Sequence, residues 1–156
     1  MITADYHMHT NFSSDSDASP ESMALGAVRK GLKQICITDH QDWDYPEDDQ
    51  QFRIDMDRYI PAIQELKEKF KDQISVGLGV EIGFQQHLGE YYRNFTASYP
   101  FDFVIGSTHV VEGRDPYNRV LFETRSDAEV YEKSFVETWE NIRIIQDFDV
   151  LGHMDY

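Results

Sequence analysis

At 156 residues and 18.3 kDa the chain suits one domain with a real core, since 40% of its residues are hydrophobic and 13% aromatic. Fourteen Lys and Arg against 29 Asp and Glu give a formal charge of −15, which argues against a surface that holds nucleic-acid polymers or anionic membranes. No run approaches ~18 apolar residues, MITADYHMHT carries no basic or apolar leader, and the single Cys36 fits a reducing cytosol, so a cytoplasmic protein outside the membrane is expected.

The first predicted strand runs over Ile2–His7 and is followed by the polar loop NFSSDSDA. A helix opens at Ser19-Pro20, with Ser19 as N-cap and Pro20 where its missing N–H costs nothing, and closes near Gly31. QICITDH is the second strand, rich in β-branched residues. After an acidic loop whose Glu47-Asp48-Asp49 reads as a solvated helix start, Phe52, Met56, Tyr59, Ile63, Leu66 and Phe70 recur at helical spacing. Pro61 is expected to kink or split that helix. A third strand over Ile74–Glu81 leads into a helix at HLGEYYRNFTASY, and FDFVIGSTH is the fourth strand. Ser126 and Glu129 form a capping box for a helix whose stripe of Val130, Phe135, Trp139, Ile142 and Ile145 is expected to be buried. FDVLGH is a fifth strand. Alternation of this kind predicts an α/β fold with a parallel sheet covered by helices.

Five of the six histidines fall at predicted strand ends. His7 and His9 end the first strand, His40 the second, His109 the fourth and His153 the fifth, while Glu81 ends the third. Parallel strands bring their C-terminal ends to one face, the face that carries chemistry in a βα barrel. His7 and His9, two apart on a strand, leave the same side of it and can reach one cation. Imidazole nitrogen with carboxylate oxygen suits zinc, manganese or iron, and the two oxygens of Glu81 could each bind one ion of a pair.

Asp5 and Asp39 could be ligands or could orient a neighbouring histidine by hydrogen bonding. Asp15 and Asp17 lie in a Ser/Asp loop, where turn formation and capping are the default. His87, after Gln85-Gln86, reads as surface or pocket lining, and Cys36, in mid-strand, as a small inert hydrophobe. GxSxG and GxxxxGK[ST] patterns are absent, and VGLGVEIG continues as a strand rather than opening a dinucleotide-binding helix.

With DYHMHT, ITDH, GVEIG, GSTHVV and VLGHMDY in this order, the chain resembles the PHP (polymerase and histidinol phosphatase) metallophosphoesterase family. EIGFQ, HVVEGRDPY and FDVLGHMDY are most similar to its histidinol-phosphatase branch. The resemblance implies a distorted (β/α)7 TIM-like barrel with two or three divalent ions at the strand C-termini. It puts His7, His9 and Glu81 on one metal, Glu81, His109 and His153 on a second, and His40 with Asp15 on a third, Asp17 being the fallback. The implied reaction is hydrolysis of a small phosphorylated substrate, histidinol phosphate, by hydroxide held at the metals among Glu81, His109, His7 and His9. Other phosphoesters, nucleotides among them, are the alternative substrates, and a non-catalytic metal-binding or interaction module is the alternative class.

The family's later Asp-x-His does not occur in the sequence, and Asp155 is no substitute because it follows His153 on the fifth strand. Residues 1–156 therefore read as a single domain of about five βα units, either a short member or part of a chain of roughly 250 residues. Oligomerisation through an exposed sheet edge is the corollary.

Overall fold

The computed structural model describes residues 2–46, 48 and 50–154, so Glu47, Asp49 and Asp155 of the readings above lie outside the described residues. Its elements are β1 (Ala4–Asp5), α1 (Pro20–Arg29), β2 (Gln34–Ile37), β3 (His40–Gln41), α2 (Met56–Phe70), β4 (Ser75–Gly83), α3 (Gly89–Ser98), β5 (Phe103–Ser107), α4 (Asp127–Ile142) and β6 (Val150–Leu151). The sheet order is β1-β2-β4-β5-β6, with β3 also paired to β4, and each of these ladders is parallel. Strands and helices alternate into a curled half-barrel, and β4, bonded to β2, β3 and β5, is its centre.

QICITDH forms two short strands rather than one. The ladder to β4 breaks at Thr38 and Asp39 and resumes without a change of register: Ile37 faces Leu78 and His40 faces Glu81. At the break the chain turns its hydrogen bonds toward the N-terminal segment. Thr38 N donates to Met8 O at 2.8 Å, and Met8 N donates to Thr38 Oγ1 at 3.0 Å. That exchange keeps residues 7–10 alongside the sheet although the β1 ladder ends at Asp5.

Ser19 caps α1 as expected, its side chain accepting from Ser22 N, and Gly31 follows the helix at φ +79°. α2 runs uninterrupted through Pro61, which is exposed, so the carbonyl left without its N–H faces water. The opposite face of α2, formed by Tyr59, Ile63, Leu66 and Phe70, is buried in the core. Tyr59, fully buried, lies 2.9 Å from Ile37 O and 3.0 Å from Gly79 O, pinning the helix across β2 and β4.

α4 corrects one expectation. Its capping box is present, but Phe135 and Trp139 are 44% and 61% exposed. The buried face carries Val130, Thr138 and Asn141, with Thr138 Oγ1 2.8 Å from Thr108 Oγ1. The helix thus buries a mixed row and leaves the apolar pair Phe135 and Trp139 outside. Ile145, beyond the helix, is buried as expected. No helix among the described residues is long and apolar enough to cross a membrane.

Tyr59→Phe keeps the ring and deletes the hydroxyl that serves two buried carbonyls. It should cost about 1–3 kcal/mol, seen as a lower denaturation midpoint at unchanged m-value.

Candidate metal centre

β4 delivers Glu81 to the middle of the strand ends, where its side chain has no solvent exposure. Its two oxygens face different histidines. Oε2 lies 2.8 Å from His7 Nε2, 3.3 Å from His9 Nε2 and 3.8 Å from His40 Nδ1. Oε1 lies 3.1 Å from His109 Nε2 and 3.4 Å from His153 Nε2. His40 Nε2 faces outward to Asp15 Oδ2 at 3.4 Å. The residues read as metal ligands from the sequence, His7, His9, Asp15, His40, Glu81, His109 and His153, are thus brought together, and Asp15 rather than Asp17 takes the loop position.

The donor sets fit divalent ions. His7, His9 and Glu81 form one group of converging ligand atoms, and Glu81, His109 and His153 form another. His9, Asp15 and His40 form a third, and a fourth contains His40, Asp42 and His109. Ligands on a zinc ion bonded at about 2.0–2.2 Å lie roughly 3.3–3.6 Å apart in a tetrahedron, and His9 and His153 stand 3.3 and 3.4 Å from the Glu81 oxygens. His9 Nδ1, His40 Nδ1 and Asp42 Oδ1 are buried without a hydrogen-bond partner, as expected where polar atoms crowd around ion positions.

Charge in the cluster alternates. Burial alone would raise the pKa of Glu81, but hydrogen bonds from His109, His153 and His7 outweigh it and hold the carboxyl far below its ordinary range. Burial likewise opposes ionisation of Asp42, and the charge and hydrogen bond of His109 with the charge of His40 bring its pKa to about 2. His9 falls to about 4 through burial and through His40, stacked on it with centroids 4.4 Å apart. His40 rises to about 9: burial would lower it, and the hydrogen bond to Asp15 with the charge of Asp42, 3.8 Å away, more than compensates. Two buried carboxylates therefore stay ionised and require positive charge beside them.

Asp5 and Asp39 do not orient imidazoles. Asp5 Oδ1 accepts from the backbone N of His7 at 3.2 Å. Asp39, fully buried, accepts from Thr10 N at 2.6 Å, Thr10 Oγ1 at 2.7 Å and Ser13 Oγ at 2.8 Å. It ties down the loop that carries Asp15, because its short side chain emerges at the break between β2 and β3, directly beneath that loop. The carboxylate beside an imidazole nitrogen is instead Asp42, whose Oδ2 lies 2.8 Å from His109 Nδ1. Asp42 was detectable by the rule that pairs His7 with His9: it follows His40 by two on an extended segment and shares its side. His87 lies on the surface, 2.9 Å from Asp44 Oδ2. Cys36 is buried, and burial pushes its thiol pKa up to about 12, which leaves it inert.

A cavity of about 930 Å³ opens over the cluster, walled by Tyr45, Phe52, Tyr117 and Asn118 and floored by the histidines. None of the described residues lining it is Lys or Arg.

A curled parallel sheet whose strand ends gather imidazoles around a buried carboxylate defines a βα-barrel-type protein with a candidate polynuclear metal centre. The chain belongs to the PHP domain family, whose model matches residues 5–156. It is 31% identical over 157 residues to a histidinol-phosphatase of Lactococcus lactis, covering 100% of this chain and 58% of that one. To a probable histidinol-phosphatase of Clostridium acetobutylicum it is 34% identical over 152 residues, covering 97% and 57%. It superposes with a TM-score of 0.93 and 30% identity on the crystal structure of the Lactococcus lactis histidinol phosphate phosphatase complexed with zinc, L-histidinol and phosphate, covering 99% of this chain and 58% of that one. A putative histidinol phosphatase from Listeria monocytogenes shares the fold at a TM-score of 0.69 and 17% identity, covering 90% and 60%. The chain spans somewhat under two thirds of the length of these relatives.

Asp39→Ala removes three hydrogen bonds to one buried carboxyl group. Hydrogen exchange should rise across residues 10–18 while β4 and β5 stay protected, and stability should fall by about 2–4 kcal/mol.

Proposed function

We propose that the chain carries the metal centre of a phosphoric monoester hydrolase that converts histidinol phosphate to histidinol and phosphate. The observation that carries this reading is the division of the Glu81 oxygens between two histidine groups, a bridging arrangement built for a pair of divalent ions. In this reading His7, His9 and Glu81 hold one ion, Glu81, His109 and His153 a second, and His40 with Asp15 a third, with zinc, manganese or iron as the ions. Bound there, adjacent divalent ions supply Lewis acidity, activating water and neutralising charge on a phosphoryl group.

The chain's own residues do the rest. Their imidazoles and carboxylates fix the ion positions, and the loop held by Asp39 sets Asp15 against His40. Phe52, Tyr45 and Tyr117 line the cavity and offer flat surfaces to a leaving group that carries an imidazole ring. The described residues lining the cavity include no Lys or Arg, so among them the histidine and carboxylate cluster, with any ions it holds, is what a phosphate would meet. The zinc, L-histidinol and phosphate bound by the Lactococcus lactis relative support both the ion and the substrate.

Phosphate release from histidinol phosphate, measured with added zinc, manganese or iron and in competition with nucleoside monophosphates, tests the substrate. Release should require ions and favour histidinol phosphate; equal turnover of the nucleotides, or none by an ion-loaded protein, would overturn it. Glu81→Gln should lose bound metal by elemental analysis and lower turnover by more than about 100-fold, since even groups that only support a ligand are worth 10- to 100-fold.

A further inference from the structure

The two ring nitrogens of His109 face different carboxylates. Nε2 lies 3.1 Å from Glu81 Oε1, in the group that includes His153, and Nδ1 lies 2.8 Å from Asp42 Oδ2. A neutral imidazole has one proton and one lone pair, and only the nitrogen with the lone pair can ligate. An ionised carboxylate accepts and cannot donate, so with an ion held on Nε2, as in the metal-centre reading, the ring proton has to sit on Nδ1, where Asp42 Oδ2 accepts it.

We propose that Asp42 is the positioning residue that fixes His109 as an Nε2 ligand, and that Gly83 provides the space in which Asp42 does so. The inference rests on the metal-centre reading above and gives Asp42, which also stands in the His40, Asp42 and His109 group, a positioning role rather than a ligand role. Asp42 is only 3% exposed, and its second oxygen, Oδ1, has no hydrogen bond, with His40 Nδ1 3.8 Å away. A carboxylate desolvated this far is costly unless its one strong contact has a purpose.

Its backbone is held on every side. Asp42 N donates to Phe52 O at 2.9 Å, and the buried Tyr92 hydroxyl lies 2.9 Å from Gln41 O, 2.8 Å from Gly83 O and 3.2 Å from Trp43 N, which donates to it. One phenol thus fastens both neighbours of Asp42 to the end of β4. At Gly83 a Cβ would stand 2.5 Å from Asp42 Oδ1 and 2.6 Å from its Cγ. No side chain fits there while the carboxylate keeps its place.

The test compares wild type, Asp42→Asn and Gly83→Ala for zinc affinity, by competition with a chelator, and for the His109 ring by long-range 15N–1H correlation in the zinc-loaded protein. Wild type should show His109 protonated on Nδ1, with a hydrogen-bonded ring proton. Both variants should lose that proton signal and bind their most weakly held zinc about 10- to 100-fold less tightly. Unchanged zinc affinity and an unchanged ring proton in Asp42→Asn would overturn the role of Asp42. The same result in Gly83→Ala alone would overturn that of Gly83. A wild-type protein that binds no zinc would instead defeat the metal-centre reading on which both depend.

Discussion

A carboxylate with no exposure to water, Glu81, is the constraint around which the rest of the molecule is arranged. Burying an isolated charge costs several kcal/mol unless compensating partners stand beside it, and here five imidazoles surround the carboxylate. They come from segments that only a curled parallel sheet can bring to one point. β4 must be central, because Glu81 needs β2 and β3 on one side and β5 on the other to deliver His40 and His109. The apolar packing of α2 against β4 and the Tyr59 hydroxyl secure that central strand from beneath.

Three aspartates near the centre share a side chain and differ in work because they differ in neighbours. Asp15, half exposed on a loop, faces His40 from outside. Asp39, fully buried at the interruption of the second strand, meets only hydroxyls and a backbone N–H and becomes a clamp on that loop. Asp42, one turn of the pleat further on, meets an imidazole and directs it. Strand periodicity separates the last two: residues 40 and 42 share a side, and residue 39 points to the other.

Much of this was legible in the sequence, for identifiable reasons. Strand ends coincide with changes from β-branched runs to polar residues, so His40, Glu81, His109 and His153 could be placed on a common face. The cap at Ser19 and the capping box at Ser126 and Glu129 are local and were readable locally. What depended on distant partners was not. β1 and β6 shrink to two residues each because a ladder lasts only as long as its neighbour stays in register. The bonds of Asp39 cross 26 to 29 residues, and nothing near it names Thr10 or Ser13 as its partners. On α4 the spacing revealed an apolar row at Phe135 and Trp139 but not that another row, with Thr138 and Asn141, turns to the sheet.

The contacts of Glu81 with His7 and His109 span 74 and 28 residues, so the cluster is an intrinsically non-local object. Closing loops of that length is slow compared with forming a helix, and no fragment of the chain short of β1 through β5 owns both halves of the site. An ion held on His7 and Glu81 together, as proposed, would need β4 already in place between its neighbours, and it would add one more tie between the N-terminal segment and the sheet.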